Sequence, residues 1–264
     1  MTGAESARSA GPGRLRVRVT RIAADIARAQ ALRGLCFRGP GRIDADAFDT
    51  RCHHLLVEDA ETGALVACCR LLHLRGGSEI ARSYSAQFYE LSALESFEAP
   101  MMELGRFCIH PERHDPDILR LAWGALARFV DENGVGMLFG CSSFKGTEAA
   151  EYADAFAILR ERHLAPRHWW PRVKAPRVVR FALDLARRVP DPRCAMATMP
   201  PLLRSYLAMG GWVSDHAVVD RDLGTLHVFT ALEIGAIPAA RARQLRAVLR
   251  DDVSVGVANV FSPA

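Results

Sequence analysis

Apolar and polar residues alternate along several short stretches of the chain, and this alternation predicts β-strands. Residues 15–20 alternate as a half-buried strand does. Two apolar runs, 55–58 and 64–74, flank a short polar segment that contains Gly63, so they predict a hairpin with a glycine in its turn. Further apolar runs predict strands at 101–109, 135–141, 217–219 and 226–232.

Other stretches repeat their apolar residues at helical spacing. The clearest predicted helix follows Asp115, which can cap it, and begins with Pro116, whose missing N–H is tolerated in a first turn. Its apolar stripe runs to Val130, and Asn133 and Gly134 close it. Similar patterns predict helices at 22–37, 83–94, 148–164, 200–210 and 239–249.

Strands and helices follow one another without an internal repeat or a clear linker. The pattern therefore predicts one mixed α/β domain over residues 14–264, preceded at 1–13 by a disordered tail of small and polar residues. Hydrophobic residues make up 50% of the 264, which is enough for a sizeable core and excludes a disordered or collagen-like chain.

Charge is distributed unevenly along the chain. The net charge is only +4, yet ten Arg or Lys residues against three acidic ones give segment 160–193 a charge of +7, which leaves −3 for the remainder. Such a segment indicates an acidic partner protein or an anionic membrane surface rather than general affinity for nucleic acid. The residues predicted to dock that partner are Arg160, Arg162, Arg167, Arg172, Lys174 and Arg177.

The cysteines and the apolar runs bear on the compartment. Seven cysteines form an odd set without CxxC spacing, which is typical of reduced thiols in a cytosolic protein. No stretch approaches the roughly 18 consecutive apolar residues of a membrane helix, and the first residues lack a signal-peptide core. We therefore expect a cytoplasmic protein that contacts the inner membrane peripherally, if it contacts it at all.

The first candidate site lies on the predicted strand at 101–109. Glu103 and Arg106 are three residues apart, so regular pleating would place them on opposite faces of the strand. A bulge at Gly105 would bring both side chains to one face. The alternative, in which each is paired with a neighbouring loop, stays open on the residue types alone.

Two further groups of polar residues stand out. Asp44, Asp46 and Asp49 lie in one loop and could hold an ammonium group or a metal; the alternative is a solvated turn with capping aspartates. Neither an EF-hand nor an H-E-x-x-H spacing is present, so we expect no metal. Ser142 and Ser143 end a predicted strand without a G-x-S-x-G elbow, which favours a polar strand end or a proton donor over a nucleophile.

Six motifs occur in a fixed order over most of the chain. They are Asp46-x-Phe48-Asp49, His54-Leu-Leu-Val, Cys69-Arg70-Leu-Leu, Glu103-Leu-Gly-Arg106-Phe-Cys-Ile-His110-Pro, Gly140-Cys-Ser-Ser-Phe-Lys-Gly146-Thr and Pro200-Pro-Leu-Leu-Arg-Ser-Tyr-Leu. In this order the chain resembles the ornithine N-acyltransferases that make lyso-ornithine lipid, a hemolysin-like family. The resemblance implies the GCN5-related acyltransferase (GNAT) fold, an α/β (α+β) architecture with a mixed, mostly antiparallel central sheet flanked by helices.

The resemblance also implies a reaction, the transfer of a 3-hydroxyacyl group from acyl carrier protein to the α-amine of ornithine. Glu103 is then the candidate base, directly or through water, and a backbone N–H near residues 107–109 would polarise the thioester carbonyl. Arg106 or Arg70 would pair with the ornithine carboxylate. The other residues assigned to substrate binding are Arg33, Asp46, Asp49, Ser142 and Ser143, with the two aspartates receiving the side-chain ammonium and Arg33 holding their loop.

The donor is suggested by a second line of reasoning. The loop at 110–114 contains no glycine, and Asp115 and Asp117 place two carboxylates at the following helix start, where coenzyme A-dependent relatives have a glycine-rich diphosphate cradle. We therefore expect no bound cofactor and an acyl-phosphopantetheine of acyl carrier protein as the donor. A coenzyme A-dependent N-acetyltransferase of a small amine is an alternative that this loop disfavours.

A more distant resemblance provides a further alternative. The chain is similar to acyl-homoserine lactone synthases, whose recurring signatures correspond here to Arg33 with Phe37, Asp46 with Asp49, Arg70, and Glu103 with Arg106. Those synthases carry a tryptophan shortly after the first helix, where this chain has residues 38–43, Arg-Gly-Pro-Gly-Arg-Ile. This departure favours the amino-acid acyltransferase over the lactone synthase.

Overall fold

The computed structural model describes residues 14–252, so the predicted tail at 1–13 lies outside the described residues. The strands in this range are β1 Leu15–Thr20, β2 His53–Asp59, β3 Leu65–Leu74, β4 Tyr89–Glu90, β5 Met101–Ile109, β6 Met137–Lys145, β7 Arg172–Val173, β8 Val178–Val179, β9 Trp212–Asp220 and β10 Thr225–Glu233. The helices are α1 Ala23–Phe37, α2 Pro116–Glu132, α3 Ala153–Arg162, α4 Phe181–Asp184, α5 Pro192–Thr198, α6 Pro201–Ala208 and α7 Ala239–Asp252.

Eight of these strands form one sheet in the order β1-β2-β3-β5-β6-β10-β9-β8. Neighbouring strands run antiparallel except β5 and β6, which are parallel and pair only over 101–103 and 137–139. The short strands β4 and β7 pair with each other outside this sheet. The structure confirms the predicted mixed, mostly antiparallel sheet flanked by helices.

The sheet is split in its middle. Beyond Glu103 and Phe139 the pairing of β5 with β6 ends, whereas β3 continues to pair with β5 and β10 with β6. Gly140 lies where the two strands part, and a Cβ at this position would stand 2.3 Å from the carbonyl oxygen of Leu104. Only glycine permits this close approach, so the start of the split is fixed by the absence of a side chain.

Helices cover both faces of the sheet because successive strand residues point to opposite sides. On one face, Leu126 and Phe129 of α2 share a core cluster with Leu55 of β2. On the same face α3 packs through Phe156 against Val228 of β10. On the other face α1 covers β2 and β3 through Leu32. The core therefore lies on both sides of the sheet and leaves the split accessible between the helices.

Most predicted elements agree with the structure. β5 spans the predicted residues, and the hairpin of β2 and β3 turns at Gly63. Asp115 caps α2, since its side chain accepts the N–H of Asp117 at 2.9 Å. The predicted helix at 148–164 is shorter, because it begins with a 3₁₀ turn at Ala149–Tyr152 and α3 follows.

The prediction of a helix at 83–94 is wrong. Two 3₁₀ turns, Ser85–Gln87 and Ser92–Leu94, surround strand β4 in this region. The physical reason is a long-range contact: Tyr89 and Glu90 pair as a strand with Val173 and Arg172 of β7, which interrupts the segment in its middle. Local periodicity contains no information about that partner.

The sequence predicts reduced, buried thiols. All seven cysteines are free in the structure, and four of them are buried, whereas Cys36 and Cys141 are half-buried and Cys194 is exposed. Within residues 14–252 no helix combines the length and the apolar character needed to cross a membrane.

Candidate active site

A cleft of about 410 Å³ lies at the split between β5 and β6. The charged side chains that line it are Arg70, Glu103, Arg106 and Asp220. Its apolar lining includes Phe37, Leu104, Phe107, Ile109, Leu119 and Leu203. The cleft thus combines an ionic region with an apolar region, an arrangement suited to an amphipathic ligand or to a polar and an apolar substrate together.

Strand β5 carries a bulge that shapes the ionic region. Arg70 of β3 pairs with Gly105 and Cys68 pairs with Cys108, so β5 contains one residue more than β3 between these pairs. Arg106 lies in the bulge and is the one non-glycine residue of the described chain with a positive φ, 54°. The predicted bulge is therefore present, centred one residue later than expected, and both Glu103 and Arg106 line the cleft.

Glu103 is held in a defined orientation and is 4% exposed. Its Oε1 accepts the N–H of Ser85 at 2.7 Å and the hydroxyl of Ser85 at 2.6 Å, and its Oε2 accepts the N–H of Tyr84 at 2.8 Å. Burial raises the pKa of Glu103 above its usual value, while these hydrogen bonds oppose the increase. A carboxylate with an elevated pKa at the wall of a cleft is suited to accept a proton from a bound amine.

Arg33 organises the acidic loop, as expected from the sequence. The guanidinium is 1% exposed and donates to Asp44 Oδ2 at 2.9 Å and to Asp49 Oδ1 at 2.7 Å. Asp49 also accepts from Gln30 at 2.9 Å. The carboxylates of Asp44 and Asp49 are 2% exposed, so they serve the loop itself, and neither residue lines the cleft.

Arg70 and Arg106 connect this loop to the cleft. Arg70 donates to Asp46 and, at 3.0 Å, to Asp49, while Arg106 donates to Asp44 at 3.0 Å and lies 4.9 Å from the centre of the Tyr84 ring. Together these groups form a cleft network of four arginines and three aspartates, and a fourth aspartate, Asp222, pairs with Arg38 on the exposed side, so the charges balance. Its members are Arg33, Arg38, Arg70, Arg106, Asp44, Asp46 and Asp49.

β6 and β10 provide the opposite wall. Ser142 and Ser143 both line the cleft, and the Ser142 hydroxyl accepts a hydrogen bond from Thr230 at 2.9 Å. Cys141 also lines the cleft, but burial raises the pKa of its thiol to about 12, so it stays protonated. A thiolate nucleophile on this wall is therefore excluded at neutral pH.

His227 of β10 was not singled out by the sequence. The hydroxyl of Tyr89 donates to the carbonyl oxygen of His227 at 2.8 Å, so at its contact with Nδ1, 3.1 Å, it must accept. This assigns the proton to Nδ1 and leaves Nε2 as an unprotonated nitrogen. Burial lowers the pKa of His227 to about 4, which keeps the ring neutral beside the cleft.

The basic segment at 160–193 is divided by the fold. Arg160 holds a neighbouring loop by donating to the carbonyl of Ala186 at 2.6 Å, and Lys174 donates to the carbonyl of Ala86 at 2.6 Å. The arginines of the segment that stay exposed around the short strands β7 and β8 are Arg167, Arg172, Arg177 and Arg180. Arg162, at the end of α3, is also exposed and lies 3.5 Å from Glu161.

Known protein families and structures resemble this chain. A family model described as an acetyltransferase (GNAT) domain matches residues 33–124, a range that begins at Arg33 and includes the acidic loop, Arg70, Glu103 and Arg106. The L-ornithine N(alpha)-acyltransferase of Rhodobacter capsulatus is 34% identical over 246 residues, which cover 87% of this chain and 93% of that protein.

The chain belongs to the L-ornithine N(alpha)-acyltransferase family. A second member, from Brucella abortus, is 31% identical over 244 residues, 85% of this chain and 86% of that protein. Among solved structures, FeeM, an N-acyl amino acid synthase from uncultured soil microbes, is 10% identical and superposes with a TM-score of 0.50 over 85% of this chain and 94% of that one. This likeness supports the GNAT fold.

Within this family assignment, the structure adds residues that the motifs did not indicate. Tyr84 and Ser85 bind Glu103 through their backbone N–H groups, and Asp220 and His227 line the cleft from the carboxyl-terminal strands. Nothing in the sequence around Tyr84 and Ser85 indicates their contact with Glu103, because it forms only in the tertiary structure. Asp220 precedes a turn closed by Gly224, but nothing local indicates that its side chain faces a cleft.

Proposed function

We propose that this protein transfers a 3-hydroxyacyl chain from acyl carrier protein to the α-amine of ornithine and so forms lyso-ornithine lipid. The observation that carries the proposal is the cleft at the split of the sheet, where Glu103 and two arginines adjoin an apolar lining. The names of the relatives from Rhodobacter capsulatus and Brucella abortus support ornithine as the acceptor.

The arginines provide the site for the acceptor carboxylate. Arg70 and Arg106 are the arginines of the cleft network that line the cleft. An ornithine carboxylate would accept hydrogen bonds from the planar donors of these guanidinium groups. In this role Arg33 is a positioning residue, because its own donors are used by Asp44 and Asp49.

Glu103 provides the base for the chemical step. It removes a proton from the α-ammonium of ornithine, directly or through one water, and the neutral amine attacks the thioester carbonyl carbon. As the C–N bond forms and the C–S bond breaks, the nitrogen loses its second proton to the leaving thiolate of the carrier, so an amide and a thiol result, and Glu103 releases its proton to solvent. Backbone N–H groups near 107–109, on the part of β5 that does not pair with β6, would stabilise the oxyanion.

The donor enters from the same split. Beyond Glu103, the edge of β5 that faces β6 does not pair with β6. The amides of an extended phosphopantetheine arm can form hydrogen bonds to such an edge. The apolar residues Leu104, Phe107 and Leu119 would contact the acyl chain. Ser142 and Ser143, on the opposite wall, are placed to hydrogen-bond the 3-hydroxyl or the leaving sulfur.

The test of the function is direct. Purified protein is incubated with 3-hydroxyacyl-acyl carrier protein and ornithine, and the product is identified by mass spectrometry. We expect N-acylornithine and a free carrier thiol in equal amounts. Acylation with acetyl-coenzyme A but not with the carrier would refute the proposal, and so would transfer to a hydroxyl acceptor in place of an amine.

We propose further that the carrier docks on the exposed arginines Arg167, Arg172 and Arg177. A carrier of acidic surface is attracted to them, and such contacts chiefly raise the association rate at low salt. The double variant Arg167→Glu, Arg177→Glu is expected to raise the KM for the carrier about tenfold without changing kcat. The matched control is Arg241→Glu, Arg243→Glu on α7, which makes the same charge change elsewhere; an equal effect of both doubles would refute the docking site.

A separate surface is proposed to contact the anionic inner leaflet. Three of the large apolar residues that are exposed in the described part of the chain lie between 183 and 196, namely Leu183 at 67%, Val189 at 89% and Met196 at 48%. Arg180 precedes these apolar residues in the chain, and Arg187 and Arg193 lie between them. Apolar residues among basic ones are typical of a protein that binds at a charged membrane interface, and this surface precedes the cleft residues at 200–203.

The membrane proposal has its own matched control. The double variant Leu183→Ser, Val189→Ser is expected to bind less to vesicles that contain phosphatidylglycerol. The control is the double variant Ile22→Ser, Ile43→Ser, which also removes two exposed apolar residues and should leave the binding unchanged. Vesicles of phosphatidylcholine alone report the charge dependence. Equal binding of both double variants would refute this surface.

A further inference from the structure

Asp220 is a cleft residue that the reaction described above does not use. It is the last residue of β9, is 8% exposed and lines the cleft beside Thr225 and His227. Its Oδ1 accepts the N–H groups of Asp222 at 2.9 Å and Leu223 at 3.1 Å. These two bonds fix the carboxylate on the turn between β9 and β10, so its position is set before any ligand binds.

The charged side chains that line the cleft differ in the partners that stabilise their charge. Arg70 and Arg106 each have aspartate partners, and Glu103 accepts three hydrogen bonds. Asp220, in contrast, makes no ion pair with an arginine or lysine of residues 14–247, and within that range its hydrogen bonds are those accepted by Oδ1. A nearly buried carboxylate without a cation is costly, and a cationic ligand would remove that cost.

The field of Asp220 extends over the cleft. Burial raises the pKa of the Tyr84 hydroxyl, and the charge of Asp220 adds to this effect, whereas that of Arg106 opposes it. At His227 the same carboxylate opposes the lowering of the pKa caused by burial. Asp220 thus acts electrostatically on groups at both walls of the cleft, including the tyrosine ring below Arg106.

We propose that Asp220 binds the side-chain ammonium of the acceptor and thereby selects an α,ω-diamino acid. The inference rests on the proposed function and deepens it: Arg70 and Arg106 take the carboxylate, Glu103 takes the α-amine, and Asp220 takes the cation at the far end. Asp220 replaces Asp46 and Asp49 in this role. Asp49 is buried between Arg33 and Arg70, and Asp46 lies between Arg70 and Arg106 and does not line the cleft.

The first test compares ornithine with norvaline, which has the same carbon chain without the δ-amine. Asp220→Asn keeps an oxygen that can accept from Asp222 and Leu223, so the turn is preserved while the charge is lost. We expect kcat/KM for ornithine to fall about 100-fold and that for norvaline to stay unchanged, because only ornithine makes the ion pair. The matched control is Asp222→Asn, the same substitution on the exposed side of the same turn.

A second variant tests the geometry. Asp220→Glu extends the carboxylate by one methylene, so the preferred acceptor is expected to change from ornithine to 2,4-diaminobutyrate, whose amine is one methylene closer to the α-carbon. Calorimetric titration of each amino acid in the absence of donor should show the same order of affinities as the kinetics.

The outcomes separate this inference from the proposed function. Wild-type protein that acylates ornithine, together with an Asp220→Asn variant that still prefers ornithine to norvaline, would overturn the role of Asp220 and leave the function intact. Equal losses for both amino acids would also overturn it, since a structural defect does not discriminate between acceptors. Wild-type protein that neither binds nor acylates ornithine would overturn both.

Discussion

Two ion networks of similar composition lie on α1 and its neighbouring strands. The cleft network reaches the split of the sheet, and a scaffold network lies at the β1 edge and consists of Arg16, Arg18, Arg28, Asp25 and Glu58. The scaffold network has three arginines and two carboxylates, and the cleft network has four of each when Asp222, the partner of Arg38, is counted. In the scaffold network the outer arginines meet solvent, with Arg16 at 52% and Arg28 at 39% exposure.

The difference between the networks is where their arginines can meet a further counter-ion. At the β1 edge, water and salt reach the arginines. In the cleft network, Arg70 and Arg106 are only 4% and 10% exposed, and their accessible atoms face the cleft. A substrate carboxylate is therefore the natural counter-ion there. Ion pairing alone does not indicate function; the accessible face of the network does.

The largest expected effect contrasts two buried glutamates. Glu103→Gln is expected to lower kcat about 10³-fold, because a carboxamide cannot accept the amine proton. Glu58→Gln removes a glutamate that accepts from Arg16, Arg18 and Arg28, so it should lower the free energy of unfolding by about 2 kcal/mol and leave kcat unchanged. Steady-state kinetics and urea unfolding measure both. Full turnover by Glu103→Gln would remove this residue from the base role.

The next effect exchanges one arginine of each network for lysine. Arg70→Lys keeps the charge but loses the planar donors, and we expect the KM for ornithine to rise about 30-fold with kcat little affected. Arg18→Lys should cost about 1 kcal/mol of folding free energy and leave the KM unchanged, because Arg18 binds Asp25 and Glu58 far from the cleft. If both variants raised the KM equally, the distinction between the two networks would fail.

A smaller effect is expected on the stability of the fold at acidic pH. Hydrogen bonds from Arg18 lower the pKa of Asp25 to about 2; burial acts to raise the pKa of Glu58, but its three arginines lower it to about 2 as well. Both groups stabilise the fold above their unfolded pKa values, about 4, and this contribution disappears as the pH falls towards 2. Burial gives Glu103 the opposite sign, because its raised pKa favours the fold at lower pH.

We therefore expect the free energy of unfolding of Glu58→Gln to depend less on pH between about 4.5 and 2 than that of the wild type. Glu103→Gln should change the dependence only above about 4.5, where the wild type gains stability as Glu103 becomes protonated with falling pH. Urea titrations at several pH values at constant ionic strength provide the comparison, and parallel curves for the three proteins would contradict it.

The smallest effect tests the periphery of the cleft network. Arg38 donates to Asp222 at 3.0 Å, and the Asp222 side chain is 73% exposed. Asp222→Asn is expected to change the free energy of unfolding by less than about 0.5 kcal/mol, since water competes with an exposed pair. Unfolding at low and high salt measures this; a change of several kcal/mol would mean that the pair holds the turn in place.

The sequence was most informative where local patterns decide the structure. β5, the turn at Gly63 and the cap at Asp115 follow from alternation, turn chemistry and capping, and all three are confirmed. Family motifs also indicated Glu103 and Arg106, and both line the cleft. The predicted bulge was one residue from its place, because the exact position depends on how β3 pairs with β5.

Contacts between distant segments could not be read from the sequence. The segment at 83–94 has a helical pattern, yet Tyr89 and Glu90 within it pair with a strand more than eighty residues away in the chain. Asp220 and His227 reach the cleft through the order of β6, β10 and β9. The basic segment was treated as one surface, but the fold uses Arg160 and Lys174 to hold neighbouring loops.

The split at Gly140 also has a consequence for the cohesion of the molecule. Strands β1 to β5 come from the first part of the chain and β6 to β10 from the rest, and within the main sheet the two halves are bonded directly only over 101–103 and 137–139. A donor arm bound between the parted strands, as proposed above, would add hydrogen bonds to both halves, whose connection otherwise depends on packed side chains and on helices. Substrate binding would then raise the resistance of the protein to unfolding as well as supply the reactant.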